Sequence, residues 1–130
     1  MPDMRVKITE KDIRTFASGD CHVLARKVHE ITGWPICAFW LEEKPNEHAF
    51  VLAPTGHAVD IQGVHPLVEL GKDWLEDDEA EICEVTFDEL LEHGWPEGCD
   101  VAAPRRAEQL APHVIANAER ALHLEASSVT

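Results

Sequence analysis

The stretch HAFVLAPTGHAVDIQ, residues 48–62, decides the fold. Two short apolar segments, His48–Ala53 and His57–Gln62, flank Pro54-Thr55-Gly56, the composition of a hairpin turn. Side chains alternate between faces along a strand, so His48, Phe50 and Leu52 share a side, as do Ala58, Asp60 and Gln62. The two sets fall on the same side of a sheet only if the loop between them has an odd length. Pro54-Thr55-Gly56 is such a loop, with glycine available for the left-handed position. Ala53 then faces His57, Phe50 faces Asp60 and His48 faces Gln62. Asp60 becomes the diagonal neighbour of His48, about 5–8 Å away between β-carbons and within side-chain reach. A two-residue loop would send the pair to opposite faces.

Upstream, Thr9 before Glu10, Lys11 and Asp12 has the makings of a helix start, with Ile13, Phe16 and Ala17 on its apolar side and Gly19 at its end. A second helix opens at Asp20-Cys21, carries Leu24, Ala25, Val28 and Ile31 at helical spacing, and stops at Gly33 and Pro35. Pro35–Leu41 is short and apolar, a buried strand, and Glu42–Glu47 is a polar loop. After Gly63 we expect a helix or loop through Pro66, Leu67, Leu70, Trp74 and Leu75, then a strand at Ile82–Val85. Thr86 caps a short helix through Leu91, Gly94–Gly98 is a loop, and a last helix runs from about Arg105 to Leu124, with a kink or break at Pro112. Sequential strands joined by short turns imply an α+β fold: N-terminal helices packed on a small antiparallel sheet, and a C-terminal helix. Residues 1–126 form one domain in this reading and 127–130 a tail.

With 25 acidic against 11 basic residues the net charge is −14, which argues against nucleic-acid or anionic-membrane binding. Residues 69–97 hold twelve acids and one base, Lys72, a solvated face able to attract a basic protein partner. No apolar run approaches the roughly 20 residues of a membrane span. The first residues carry no signal-type apolar stretch, and the four cysteines at 21, 37, 83 and 99 form no C-x-x-C pair. Free thiols in a reducing compartment, and hence a cytoplasmic protein, are the expectation.

Cys21 sits one residue past a candidate N-cap, where unpaired amides and the helix dipole favour a thiolate and can donate to a developing oxyanion. A lowered pKa is therefore expected for it. Cys37, in mid-strand, reads as a small buried hydrophobe. Asp60 in an apolar strand calls for a partner, because an unpaired buried carboxylate is costly, and His48 is the nearest one. His22, His29, His57 and His65 read as surface or packing residues, and Trp34, Trp40, Trp74 and Trp95 as core and loop anchors. Cys21, His22 and His29 are too spread along their helix to hold one metal ion without strain, so no metal or other cofactor is expected.

Gly19-Asp20-Cys21, Gly33-Trp34-Pro35, His48-Ala49-Phe50-Val51, Gly56 and Val59-Asp60-Ile61-Gln62 together resemble the core of the papain-like and transglutaminase-like superfamily, and the Asp-x-Gln ending is similar to its toxin and glutamine-deamidase branch. The resemblance covers Gly19 to Gly63. It implies a minimal papain-like fold and a cysteine hydrolase, peptidase or deamidase, with Cys21 as nucleophile, His48 as base and acid, and Asp60 fixing the imidazole tautomer. Gln62 is a candidate polar neighbour. The family's oxyanion glutamine has no counterpart, since no Gln precedes Cys21, so backbone amides around Asp20 and Cys21 take that role. The expected substrate is a protein or peptide. The alternative is an inactive papain-like scaffold, an acidic module that binds a protein or imitates a polyanion.

Overall fold

The computed structural model describes residues 6–17, 20–41, 44–67, 69, 81–96 and 102–123. Gly19, Leu70, Trp74, Leu75, Gly98, Cys99 and the 127–130 tail lie outside them, as does most of the acidic stretch between 69 and 80. The fold is α+β, with four described helices and a five-stranded antiparallel sheet.

Helix α1 (Glu10–Phe16) begins with a complete capping box, in which Thr9 and Asp12 each bond the other's backbone amide. Helix α2 (Cys21–Thr32) follows, and Gly33 ends it in the left-handed region at φ 76°. Strands β1 (Ile36–Leu41), β2 (Lys44–Leu52), β3 (Ala58–Asp60), β4 (Gly63–His65) and β5 (Glu81–Val85) lie in the order β4-β3-β2-β1-β5. Helix α3 (Phe87–Glu92) is capped by Thr86 and Glu89 in a second capping box, and α4 spans Ala103–Ala121.

Three sequence expectations need correction. Residues 44–47 continue β2 rather than forming a loop: Leu41 pairs with Lys44, Trp40 with Pro45 and Phe39 with Asn46. Pro45 is tolerated because β3 pairs with β2 only at Val51 and Leu52, so no third strand calls for a donor at position 45. Gly63–His65 is a strand, because Ile61-Gln62 make a two-residue turn and Gly63, at φ 118°, carries the chain back along β3. Helix α4 is not broken at Pro112.

Each face of the sheet buries apolar residues. Ile36, Ala38, Ala49, Val51, Val59, Ile61 and Val85 pack in one cluster with Leu24, Val28, Leu110 and Val114 from α2 and α4. Cys37, Phe39, Phe50 and Ala58 form a second cluster, flanked by Leu52, Leu67 and Ile82. The membership follows the alternation of the strands, odd positions of β2 on the helix side and even ones on the other.

Across the top of the molecule, Asp12 and Arg106 tie α1 to α4. The guanidinium donates to both carboxylate oxygens, at 2.9 and 2.8 Å, and to the Lys7 carbonyl at 2.9 Å. It holds the Asp12 carboxyl below the usual carboxylate range. Replacing Arg106 by Met strands a buried acid. We predict a loss of about 1–3 kcal/mol in urea unfolding at neutral pH. A carboxyl with a depressed folded pKa stabilises above its unfolded value and loses that contribution as pH falls, so the difference should shrink below about pH 4.

Candidate active site

His48 owes its position to a break in the β1–β2 ladder. Ala38 faces Ala49, but the next residue of β1, Phe39, faces Asn46. Glu47 and His48 are thus the extra residues of a bulge, a feature that re-aims side chains. The His48 ring lies stacked by Phe50, with centroids 6.2 Å apart, and is fully buried.

The β2–β3 hairpin has the register that a three-residue loop demands: Val51 faces Val59 and Leu52 faces Ala58. Asp60 accordingly shares the His48 side of the sheet. His48 Nε2 and Asp60 Oδ2 are 2.9 Å apart, with both side chains buried. Burial, the largest influence on Asp60, pushes its carboxyl up, but the hydrogen bonds and charges of His48 and His65 together outweigh it and hold the group below its ordinary value. The ionised carboxylate can only accept, so His48 directs an Nε2–H at it.

Cys21 comes to this pair through the backbone. Its sulfur accepts the N–H of Ala49, one residue beyond His48, at 3.3 Å. The reason that amide is available lies in the ladder. Ala53 N–H donates to the His57 carbonyl at 2.9 Å. Bonded pairs alternate, which makes 51 with 59, and then 49 with 61, the next bonded positions. Strand β3 ends at Asp60, before position 61 can serve. The sulfur at the start of α2 takes that donor instead.

The expected depression of the Cys21 pKa is not found. The thiol is 3% exposed, and burial pushes it up to about 11. The amides of Ala49, His22 and Cys21 pull the other way, as a helix start should, but are outweighed, and the Asp60 charge adds to the rise. At neutral pH the resting thiol is therefore protonated.

Two neighbours also differ from expectation. The Asp20 N–H is committed to the Thr15 carbonyl at 3.1 Å, which removes it as an oxyanion donor and leaves the first-turn amides of α2. Gln62 contributes through its backbone N–H, which donates to Asp60 Oδ1 at 2.9 Å, while the residue itself is exposed.

Of the histidines expected at the surface or in packing, His65 has a further partner, while His22 packs as expected. His65 Nε2 lies 2.9 Å from Asp60 Oδ1, so the carboxylate bridges two imidazoles. The alternation Gly63-Val64-His65 after a two-residue turn was the available signal, masked by the helix-or-loop reading of that segment. His22 is wholly buried, with its ring stacked on Phe87, edge-on to Trp95, and Nε2 on the Pro96 carbonyl. Burial lowers its pKa despite that bond, so it packs as a neutral ring. Among the described residues no group of three or more His, Cys, Asp or Glu side chains could hold a metal ion, and no helix is long and apolar enough to cross a membrane.

No protein-family model matches the chain, and no curated protein or solved structure matches it either.

The raised thiol pKa predicts slow alkylation of Cys21 by iodoacetamide in the resting protein, rising about tenfold per pH unit from 7 to 10. The half-buried Cys83 should react before it. Mass mapping of the labelled thiols checks this, and a Cys21 rate that levels off near pH 6–7 would contradict it.

Proposed function

We propose that the chain is a papain-like, thiol-dependent hydrolase or acyl-transferase of amide bonds, of the glutamine-deamidase or peptidase type. The observation that carries the proposal is the buried His48–Asp60 pair with the Cys21 sulfur, at a helix start, on the adjoining amide. Burial of this kind does not suit a pair kept for surface solubility, since a buried ionic group needs every partner it has.

The reaction follows from the proton positions. Asp60 keeps Nε2–H in place, so Nδ1 of His48 is the basic nitrogen. The Cys21 sulfur attacks the amide carbon as its proton moves to Nδ1, and negative charge grows on the amide oxygen beside the first-turn amides of α2. The imidazolium returns the proton to the leaving nitrogen, releasing ammonia or an amine and leaving a thioester on Cys21. Water, deprotonated by Nδ1, attacks the thioester and frees the acid and the thiol; an amine in its place gives transfer. Because the resting thiol is neutral, charge separates only in this step and not before substrate arrives.

The competing reading is a non-catalytic acidic scaffold, and the sealed, neutral sulfur favours it. An activated ester separates the two. With p-nitrophenyl acetate we expect nitrophenol release, an acetyl group on Cys21 by intact mass, complete loss in Cys21→Ala, and a loss of about 10²–10⁴-fold in Asp60→Asn, which inverts the tautomer. Release unchanged in Cys21→Ala would refute the enzyme.

A further inference from the structure

A carboxylate turns easily about its last torsion, so an orienting acid must itself be held. At Asp60 the two oxygens are divided. Oδ2 serves His48, while Oδ1 receives the Gln62 N–H and His65 Nε2, each at 2.9 Å. His65 reaches Oδ1 by register: β4 is antiparallel to β3 with Ala58 opposite His65, which puts the imidazole on the same side of the sheet as Asp60. Its side chain is 26% exposed against 3% for Asp60, so the bond joins a buried carboxylate to a partly exposed ring. Packing of α4 against β4 supports the strand from behind.

We propose that His65 is a positioning residue of the site, whose Nε2–H pins Asp60 Oδ1 and so commits Oδ2 to His48. This rests on the cysteine-hydrolase reading above and deepens it: the site is a chain of four side chains, Cys21, His48, Asp60 and His65, not a triad. Asp60 is ionised, so both imidazoles present N–H to it, and the proton on His65 Nε2 takes no part in the chemistry. Its work is to remove the freedom of the carboxylate by occupying a lone pair for which water would otherwise compete. Sequence-local turns do not supply this. The Gln62 N–H alone leaves Oδ1 with one donor in a buried setting.

The test compares His65→Leu, His65→Gln and His65→Asn in the full chain. A glutamine amide spans nearly the reach of Nε2 and can donate to Oδ1; an asparagine amide falls short. With p-nitrophenyl acetate we expect His65→Leu and His65→Asn to lower kcat about tenfold with KM unchanged, and His65→Gln to stay within about twofold of the parent protein. The ring N–H proton of His48, followed by nitrogen-edited NMR, should exchange with water faster in His65→Leu and His65→Asn only. Should His65→Leu destabilise the sheet, the Gln and Asn pair still decides, since both are polar and similar in packing. Unchanged kcat and an unchanged His48 ring proton in His65→Asn would overturn the proposal, as would a His65→Gln protein as impaired as His65→Leu. If Cys21→Ala releases nitrophenol at the parent rate, the hydrolase reading fails, while the His48 ring proton still reports whether His65 positions Asp60.

Discussion

Strand β3 stops at Asp60, and the rest of the site depends on that. Had it run one residue further, Ile61 would have taken the Ala49 N–H as the ladder requires, and the Cys21 sulfur would have had no seat at the sheet. The turn at Ile61-Gln62 that ends β3 also sends β4 back and delivers His65 to the far oxygen of Asp60. On the other side of β2, the bulge at Glu47-His48 performs the matching adjustment, since it releases His48 from the pairing that governs its neighbours. Two irregularities in one small sheet thus join the side chains of His48, Asp60 and His65 and seat the Cys21 sulfur on the adjoining Ala49 amide.

The electrostatics of this cluster set burial against dipoles, and burial wins at sulfur. Two amides at the helix start and that of Ala49 in β2 favour a thiolate, but removal from water and the Asp60 charge push the thiol to about 11. At Asp60 the balance reverses, because two imidazoles share one carboxylate and together exceed its desolvation. The outcome is a cluster with a carboxylate that favours its charged form at one end and a neutral thiol at the other. In the reaction we propose, charge separates in the transition state rather than in the resting molecule.

Much of this was legible in residues 48–62. The odd loop Pro54-Thr55-Gly56 fixes the parity of the hairpin, and parity puts Asp60 on the His48 side whatever packs around it. Thr9 with Asp12, Thr86, and Gly33 marked helix ends correctly because capping is local chemistry. What escaped was non-local. Nothing in Glu42–Glu47 signals that Lys44, Pro45 and Asn46 pair with β1, since polar residues at a sheet margin look like a loop until the partner strand is known. The burial of Cys21 depends on α2 settling against β2 and α4, so its sign of pKa shift could not be read from a helix start alone. His65 was hidden for a related reason: a three-residue strand carries too few positions for its alternation to stand out.

The central claim is that sulfur, imidazole and carboxylate act as one unit despite the cysteine's burial. Its most direct measurement is a crystal structure of the protein carrying a carboxamidomethyl group on Cys21, which imitates an acyl adduct. The account predicts Nδ1 of His48 within about 3.5 Å of the sulfur or the adduct, Nε2 still on Asp60, and the adduct oxygen at the first-turn amides of α2. A His48 ring turned from the adduct, with its Asp60 bond kept, would contradict it.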